Sequence, residues 1–356
     1  MRRSLVLAGV GVLLALGGSF GTAQAASSST PTEHRIDVNA VPTGPHPRIA
    51  YLTGRLIHTP SGRMIKLAVS KREQSKYQLL GHKPGGGWLL ACRACDEVLL
   101  ASPTGKVHPL FDYAYDAYPE YVVPVLSTNH RLVLTYFEDP GGNLELNAYD
   151  LTGNLLGALG SVFLQDARLV AFRDYTVYIS IPGSTGPDVN LYQWDVRTDP
   201  VDTGLRNVVA IDPAHDQMLR KLAASWTPTL ALSSISDPSS IRWSFGPHSR
   251  YSTKEYWPVS FSPDGSKLVG LDSSGQRLVV RSTSTGHVIT ALHFGNAPLE
   301  TAWENNTHLL IEVTQPQHPK EHALLRCGMA DHCTRTTLWQ RRSLLDASEA
   351  LDLNAL

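Results

Sequence analysis

Short apolar runs along this chain are interrupted, at a nearly constant interval, by a turn of small and polar residues that contains glycine. The four clear copies of this turn are TPSGRMI (59–65), SPTGKV (102–107), DLTGNL (150–155) and TSTGHVI (283–289). Their glycines are Gly62, Gly105, Gly153 and Gly286. The first two intervals between these glycines are similar in length, and the last has room for three intervals of that size.

Weaker copies of the turn lie where the intermediate intervals end. They are VRTDPVD around Asp199, SDPSSIR around Ser239 and, one interval after Gly286, MADHCTR around His332. Seven units of this length, each with several short apolar runs, are typical of a β-propeller with one antiparallel blade per unit. We therefore predict an all-β, seven-bladed β-propeller with four antiparallel strands per blade; six or eight blades are the alternatives.

The sixth unit shows the strand pattern most clearly. Residues 261–269 read as an inner strand, a Pro-Asp-Gly turn and a second strand, and further strands follow at 277–281 and 287–292. Pro263 presets φ in this turn and Gly265 accepts a positive φ. The strands are apolar runs rather than strict alternations, as expected when both faces of a blade pack against neighbours.

The motif FSPDGSKLVGL, followed by LVVRSTSTGHVI, resembles the repeat of TolB-type and WD40-like propellers. The chain after Ala25 is also similar to secreted actinobacterial WD40/TolB-like propeller proteins without an assigned activity. The resemblance implies that the PDG turn joins the two innermost strands and the TG turn the two outer ones. The chain departs from true WD40 repeats, because Trp194-Asp195 is a lone Trp-Asp without the Gly-His pair.

Two regions fit the repeat less well. Residues 212–219 begin like a helix, but in the repeat register Asp212-Pro213 falls where Ser262-Pro263 falls, so a blade turn is favoured. The first unit shows only three strands, and the missing inner strand would come from residues 34–38 or from the C-terminal tail. Such closure removes exposed sheet edges.

The N-terminal segment has the features of a secretory signal peptide. Arg2 and Arg3 precede an apolar run at 5–16, and Ala23-Gln24-Ala25 is a small-x-small cleavage site. We predict cleavage after Ala25 and an extracytoplasmic, secreted or cell-envelope protein; an uncleaved membrane anchor is the alternative.

The remaining chain is predicted to contain one folded domain. The predicted segments are a signal peptide at 1–25, a Ser/Thr/Pro-rich disordered lead-in at 26–45, the propeller at 46–340, and a C-terminal tail or short helix at 341–356. The whole chain has nearly equal numbers of basic and acidic side chains, and cleavage removes two of the basic ones, so a nucleic-acid partner is not expected. We expect a monomer that does not insert stably into a membrane after cleavage.

Four cysteines in an exported chain indicate disulfides. Cys327 and Cys333 flank a predicted hairpin turn, so a bridge across it is expected. Cys92 and Cys95 lie in a predicted β-turn, where a local structural disulfide is favoured over a redox pair or a zinc site.

Two long aromatic segments between units are candidate binding loops. Residues 111–121 combine five aromatics with three acids, and residues 245–257 are similarly aromatic but basic. Under the resemblance both map to one face, and tyrosines and carboxylates suit a peptide, a sugar or a cationic group. The alternatives are packing between blades for the first and an ordinary surface loop for the second. The predicted binding residues are Tyr113, Tyr115, Tyr118, Arg250, Tyr251 and Trp257.

A third segment, 315–322, contains His318 and His322 at a spacing that binds a metal on a helix. Pro316 and Pro319 argue against a helix, so a solvated loop is predicted. No catalytic constellation is recognised, and no metal and no cofactor are expected.

These observations favour a secreted, non-catalytic binding or scaffolding module for a protein, peptide or glycan partner. The alternative is a propeller enzyme (a lyase, lactonase or glycoside hydrolase) that uses the central channel, for which Glu300 is the clearest inner-strand candidate. A structural envelope protein without a dedicated ligand is a third hypothesis.

Overall fold

The fold is a ring of seven antiparallel sheets, each of which is one blade of a propeller. The computed structural model describes residues 32–70, 72, 74–92, 95–113, 122–138, 144–160, 168–182, 189–222, 229–245, 259–271, 277–295, 298, 300–329 and 333–339. These residues form no α-helix, and short 3-10 turns occur among them at Gln74–Lys76 and Pro213–His215. The predicted all-β, seven-bladed architecture is confirmed.

Within a blade, consecutive strands are joined by hairpins and follow one another from the central channel to the rim. The first blade has three strands among the described residues: β2 (Tyr51–Thr53), β3 (Leu56–His58) and β4 (Met64–Lys66). The second blade contains β5 (Tyr77–His82), β6 (Trp88–Cys92), β7 (Glu97–Ala101) and β8 (Val107–Asp112). The third contains β9 (Val122–Leu126), β10 (Leu132–Glu138), β11 (Leu144–Asp150) and β12 (Leu155–Leu159).

The remaining four blades each have four strands of their own. The fourth contains β13 (Arg168–Arg173), β14 (Thr176–Pro182), β15 (Val189–Asp195) and β16 (Val201–Arg206). The fifth contains β17 (Val208–Asp212), β18 (Gln217–Lys221), β19 (Leu230–Ser233) and β20 (Ile241–Phe245). The sixth contains β21 (Ser260–Phe261), β22 (Lys267–Leu271), β23 (Arg277–Ser282) and β24 (Val288–Phe294). The seventh contains β25 (Glu300–Asn305), β26 (His308–Gln315), β27 (His318–Gly328) and β28 (Cys333–Arg335).

The repeated turn, which contains glycine in its four clear copies, lies between the two outer strands of a blade in all seven units. The weaker copies around Asp199, Ser239 and His332 lie between β15 and β16, between β19 and β20, and between β27 and β28. The PDG turn joins the two innermost strands of the sixth blade, β21 and β22, as the resemblance implied. At Asp212-Pro213 the chain makes a 3-10 turn between β17 and β18, so the blade turn was the right choice over a helix.

The glycine of this turn is required where it packs against the preceding blade. Gly286 has φ of +73°, which L side chains rarely adopt, and it lies over the ring of Trp243 in the fifth blade. A Cβ added at Gly286 would come within 2.8 Å of the Trp243 ring. The indole Nε1–H of Trp243 donates a hydrogen bond of 2.7 Å to the carbonyl oxygen of Thr283 in the same turn. The repeated turn therefore contributes to contacts between blades as well as to the hairpin itself.

The apolar core lies between adjacent blades. One buried cluster joins Val280 and Leu292 of the sixth blade to Trp303 and Leu309 of the seventh. Because both faces of a blade are covered, all five residues of β6 are buried. This accounts for the continuous apolar runs in the sequence.

The predicted disordered lead-in is wrong for residues 32–45. β1 (Thr32–Ile36) pairs in parallel with β24 as a fifth strand on the rim of the sixth blade. Val38 then enters the apolar core between the sixth and seventh blades, and Thr43 bridges to Arg335 at the rim of the seventh. Residues 32–44, here called the N-terminal strap, thus cover the outer edges of two blades and shield them from unwanted pairing.

The strap does not supply the strand missing from the first blade. Residues 34–38 were one of two candidates for that inner position, but the structure places them at the rim of another blade. The reason is non-local: the open outer edge of β24 offers unpaired backbone groups that a parallel strand can satisfy. The predicted signal peptide and the predicted C-terminal segment 341–356 lie outside the described residues.

Both predicted disulfides are present. Cys327 and Cys333 are direct cross-strand partners in β27 and β28. Cys92 and Cys95 bridge the connection between β6 and β7. Each bond closes a short loop within one blade, so each is a local structural element.

Candidate binding surfaces and the seam of the ring

Both predicted aromatic loops lie at the same type of connection. Residues 114–121 join β8 to β9, and residues 246–258 join β20 to β21. Each therefore connects the outermost strand of one blade with the innermost strand of the next. Because the strands of every blade follow in the same order, β8 and β20 end at the same end of their blades, where β9 and β21 begin; residues 114–121 and 246–258 themselves lie outside the described residues.

Tyr113 is a core residue. Its side chain has no exposed surface and packs with Leu89 and Val98 in the cluster between the second and third blades. Its hydroxyl donates to the carbonyl oxygen of Cys92 at 3.4 Å. The alternative of packing between blades thus describes this tyrosine. The other predicted binding residues, Tyr115, Tyr118, Arg250, Tyr251 and Trp257, lie outside the described residues.

His318 and His322 both belong to β27, not to a helix. The strand register shifts between them, so that His322 lies opposite Thr314 and His318 opposite Gln315. The residue 315–322 segment is the tip of the β26–β27 hairpin rather than an irregular loop. His322 Nδ1 lies 2.8 Å from Oε1 of Glu312, whose side chain is fully buried. An acid inside the apolar run of β26 was the sequence signal for this pair.

Glu300, the candidate for a channel enzyme, is the first residue of the innermost strand β25 and lies opposite Glu312 in the strand register. Among the described residues, no group of three or more His, Cys, Asp or Glu side chains is arranged to hold a metal ion.

The turn between β17 and β18 contains a carboxylate–histidine pair. Oδ2 of Asp212 lies 2.7 Å from Nδ1 of His215 and accepts a hydrogen bond of 3.3 Å from Nε2 of Gln217. Gln217 Nε2 also donates to the carbonyl oxygen of Gly265 at 2.7 Å, and the His215 ring lies against the same glycine. Gly265 belongs to the sixth blade, so this pair joins two blades, and its imidazole is held in one orientation.

A further polar turn in the sixth blade extends these contacts to the seventh blade; the linked turns are here called the belt of inner turns. The Asp264 backbone N–H donates to Oδ1 of Asn306 in the seventh blade at 3.0 Å. Burial opposes ionisation of Asp264, but hydrogen bonds from Ser262 and Ser266 outweigh it and lower its pKa to about 2. The inner turns of the fifth, sixth and seventh blades are therefore linked by charged and polar groups.

The seam where the seventh blade meets the first contains a buried ion pair. Arg326 Nε donates to Oε2 of Glu304 at 2.5 Å, and the Glu304 side chain is fully buried. Oε1 of the same carboxylate accepts a hydrogen bond of 2.5 Å from the backbone N–H of Arg48, just before the first blade. Ile49 packs against the apolar cluster of the seventh blade. The Glu304 carboxylate thus links the seventh blade to the residues just before the first blade.

His308 lies near the charged groups of this seam, and His58 lies in the first blade. His58 stacks on Tyr51 with ring centroids 4.3 Å apart, and its Nε2 lies 2.6 Å from Oγ1 of Thr53. Burial lowers the pKa of His58, and the nearby His46 lowers it further. Burial also lowers the pKa of His308, with added repulsion from Arg326 and Arg48 that Glu304 partly opposes.

Acid is therefore expected to destabilise the folded protein through these two histidines. Because folding lowers both histidine pKa values from 6.5, the unfolded chain binds more protons as the pH falls through 6.5. The contribution of these neutral histidines to the free energy of unfolding is complete above pH 6.5. It is lost as the pH falls toward their lowered pKa values in the folded protein. The thermal midpoint of His58→Phe should depend less on pH than that of wild type between about pH 7.5 and 5.

The matched control for that measurement is His318→Phe, which replaces an exposed histidine at the start of β27. It should retain the wild-type pH dependence. Equal slopes for wild type and His58→Phe would contradict the role given to His58.

Comparisons with known proteins find similarity in the fold only. No protein-family model matches the chain, and no curated protein sequence matches it. An uncharacterized protein from Listeria monocytogenes EGD-e is similar in structure, with a TM-score of 0.50 and 11% identity over 75% of this chain and 85% of that one. A chain of the mitotic checkpoint complex has a TM-score of 0.48 and 12% identity over 72% of this chain and 78% of that one. A streptogramin B lyase has a TM-score of 0.48 and 8% identity over 74% and 83%.

At these identities the similarity concerns the propeller fold and assigns no family. The fold is compatible with binding proteins and with enzymes. In the described part of the chain, no helix is long and apolar enough to span a lipid bilayer.

Proposed function

We propose that the protein is an exported, non-catalytic binding or scaffolding module that holds a protein, peptide or glycan partner on the face of loops 114–121 and 246–258. The observation that carries this proposal is the position of the strands that flank the two segments. β8 and β20 are outermost strands, and β9 and β21 are the innermost strands of the next blades. These two junctions are three blades apart in the ring, so a partner that contacts both segments would span the channel mouth.

The chemistry of the loops supports such a partner. Tyr115 and Tyr118 are flanked by acids, whereas Arg250, Tyr251 and Trp257 lie in a basic segment. Tyrosine and tryptophan offer flat apolar area together with a polar group, which suits peptides and sugars. A partner with groups of both charges would match this face.

The rest of the molecule supplies a rigid frame. The strap, the belt of inner turns and the Glu304 ion pair join neighbouring blades. A rigid frame reduces the entropy that a binding surface loses when a partner binds. Export is supported by the N-terminal apolar segment and by two disulfides, which are typical of oxidising compartments.

The test is affinity capture from envelope and secreted fractions of the producing cells, with the mature protein, from Ala26 onward, immobilised. The loop variant carries alanine at Tyr115, Tyr118, Arg250, Tyr251 and Trp257; Tyr113 is left in place because it is part of the core. We expect wild type to retain a partner that the folded loop variant loses. A glycan array probed with the same two proteins covers sugar partners.

The matched control carries Tyr175→Ala and Arg197→Ala. These residues form a cation–π pair between an exposed arginine and a half-buried tyrosine, in turns at the opposite ends of the blades. The control should keep the partner. Equal capture by wild type and the loop variant would overturn the proposal and direct attention to lyase, lactonase and glycoside hydrolase assays of the channel.

A further inference from the structure

The two disulfides differ in their access to solvent. Cys92 is the last residue of β6 and is fully buried, whereas its partner Cys95 is exposed in the turn that leads to β7. Cys327 and Cys333 are both buried in the seventh blade. Thiol–disulfide exchange requires that a thiolate reaches one sulfur of the bond. The bond in the second blade is therefore open to attack at Cys95, and the bond in the seventh blade is shielded.

The turn that the Cys92–Cys95 bond closes also holds Tyr113. The backbone N–H of Tyr113 donates a hydrogen bond of 2.8 Å to the carbonyl oxygen of Asp96. The Tyr113 hydroxyl donates to the carbonyl oxygen of Cys92 at 3.4 Å, and the same oxygen accepts a hydrogen bond of 3.1 Å from the Cys95 N–H. The conformation of this turn thus determines two hydrogen bonds of a tyrosine that is buried between the second and third blades.

Two features of Asp96 disfavour the closed form of the turn. Its φ is +54°, in the left-handed region that residues with a Cβ seldom adopt. In the described part of the chain its buried Oδ1 has no hydrogen-bond partner, and burial raises the pKa of this carboxyl. A buried polar atom without a partner costs free energy. Opening of the turn would relieve both costs, so the disulfide holds the turn against a relaxation that Asp96 favours.

We propose that the Cys92–Cys95 bond is a thiol-sensitive switch, which a dithiol reduces by attack at Cys95 and whose reduction releases Tyr113 from the turn. A thiolate of the dithiol attacks Sγ of Cys95, the S–S bond breaks, and its electron pair goes to Sγ of Cys92, which takes up a proton. The second thiolate of the reductant then attacks the mixed disulfide and frees Cys95. Two electrons and two protons pass to the cysteines, and the dithiol leaves as a disulfide. This inference is independent of the proposed partner.

The first test compares the two disulfides within one molecule. The folded, oxidised protein from Ala26 onward is treated with dithiothreitol in the absence of denaturant, free thiols are alkylated, and each bond is followed by peptide mass spectrometry. We expect the Cys92–Cys95 bond to be reduced at least about tenfold faster than the Cys327–Cys333 bond. With glutathione, a monothiol, the mixed disulfide trapped in acid should be on Cys95. Equal reduction rates, or glutathione on Cys92 instead, would overturn the proposal.

Hydrogen exchange at the Tyr113 amide measures the release of this residue. After reduction of the Cys92–Cys95 bond, exchange at Tyr113 should be faster by on the order of tenfold. The Thr336 amide of the seventh blade, which donates to the carbonyl oxygen of Leu324 at 2.9 Å, should exchange as before. Unchanged exchange at Tyr113 after complete reduction of this bond would show that the disulfide does not control the tyrosine.

Serine variants separate this bond from a general effect of the reductant. Cys92→Ser with Cys95→Ser should exchange at Tyr113 as the reduced wild type does, with or without dithiothreitol. The matched control, Cys327→Ser with Cys333→Ser, should keep the wild-type response at Tyr113. Reduced wild type supplies the measurement if the first variant does not fold. A response to dithiothreitol at Tyr113 that persists in the folded first variant would contradict the switch.

Discussion

Gly105→Ala should destabilise the propeller by on the order of 3 kcal/mol, whereas Gly62→Ala should cost about 1 kcal/mol. Both glycines occupy the same turn of the repeat, with φ of +86° and +81°, so the cost of a left-handed alanine is similar. They differ in their surroundings. A Cβ at Gly105 would overlap the carbonyl oxygen of Lys66 in the first blade, whereas a Cβ at Gly62 meets no atom within 4 Å.

This pair of variants separates backbone strain from the contact between blades. The outer turn of the second blade is also tied to the first by a hydrogen bond of 2.8 Å from the Ala68 N–H to the Gly105 carbonyl oxygen. Relief of the overlap must therefore move the blades apart. The free energy of unfolding of wild type and both variants, measured in urea, tests this. Equal losses for the two alanines would show that close approach of the blades is unimportant.

Arg326→Met should cost about 3–5 kcal/mol, because it leaves the buried Glu304 carboxylate without its cation. The Arg48 N–H would remain as a donor to this carboxylate, and one neutral hydrogen bond does not compensate for a buried charge. The loss should appear in denaturant unfolding at neutral pH.

The double variant Glu304→Gln with Arg326→Met is the control for this interpretation. Glutamine removes the charge and keeps an oxygen that can accept from the Arg48 N–H. It should recover at least half of the stability that Arg326→Met loses, since replacing both members of a buried pair costs far less than removing one. A double variant no more stable than Arg326→Met would show that the arginine acts through packing instead.

Much of the fold could be predicted because the repeat depends on local backbone conformation. The glycine turns and the PDG turn fix hairpins through φ angles that few other residues adopt, and hairpins at regular intervals define blades. The position of Asp212-Pro213 in this register correctly outweighed its helix-like appearance. The two disulfides were predictable because each joins cysteines on either side of one short turn.

The candidate site was less accessible to the same reasoning. The aromatic segment that contains Tyr113 read as one binding loop, but its first tyrosine closes the core between two blades. Composition does not distinguish an aromatic ring that faces a partner from one that faces a neighbouring blade. The Glu312–His322 and Glu304–Arg326 pairs were also missed, because the partners lie on different strands, and Arg48 lies at the other end of the chain.

The sequence by itself predicted seven blades, with six or eight as alternatives, and located the turns, while the order of strands within a blade came from the resemblance to known propellers. These depend on contacts between residues close together in the chain. The tertiary structure alone decided where the N-terminal strap lies, which charges are buried at the seam and which turns of adjacent blades touch. Those features depend on the closure of the ring, which brings together residues as distant in sequence as Arg48 and Glu304. A local sequence pattern does not predict such a contact.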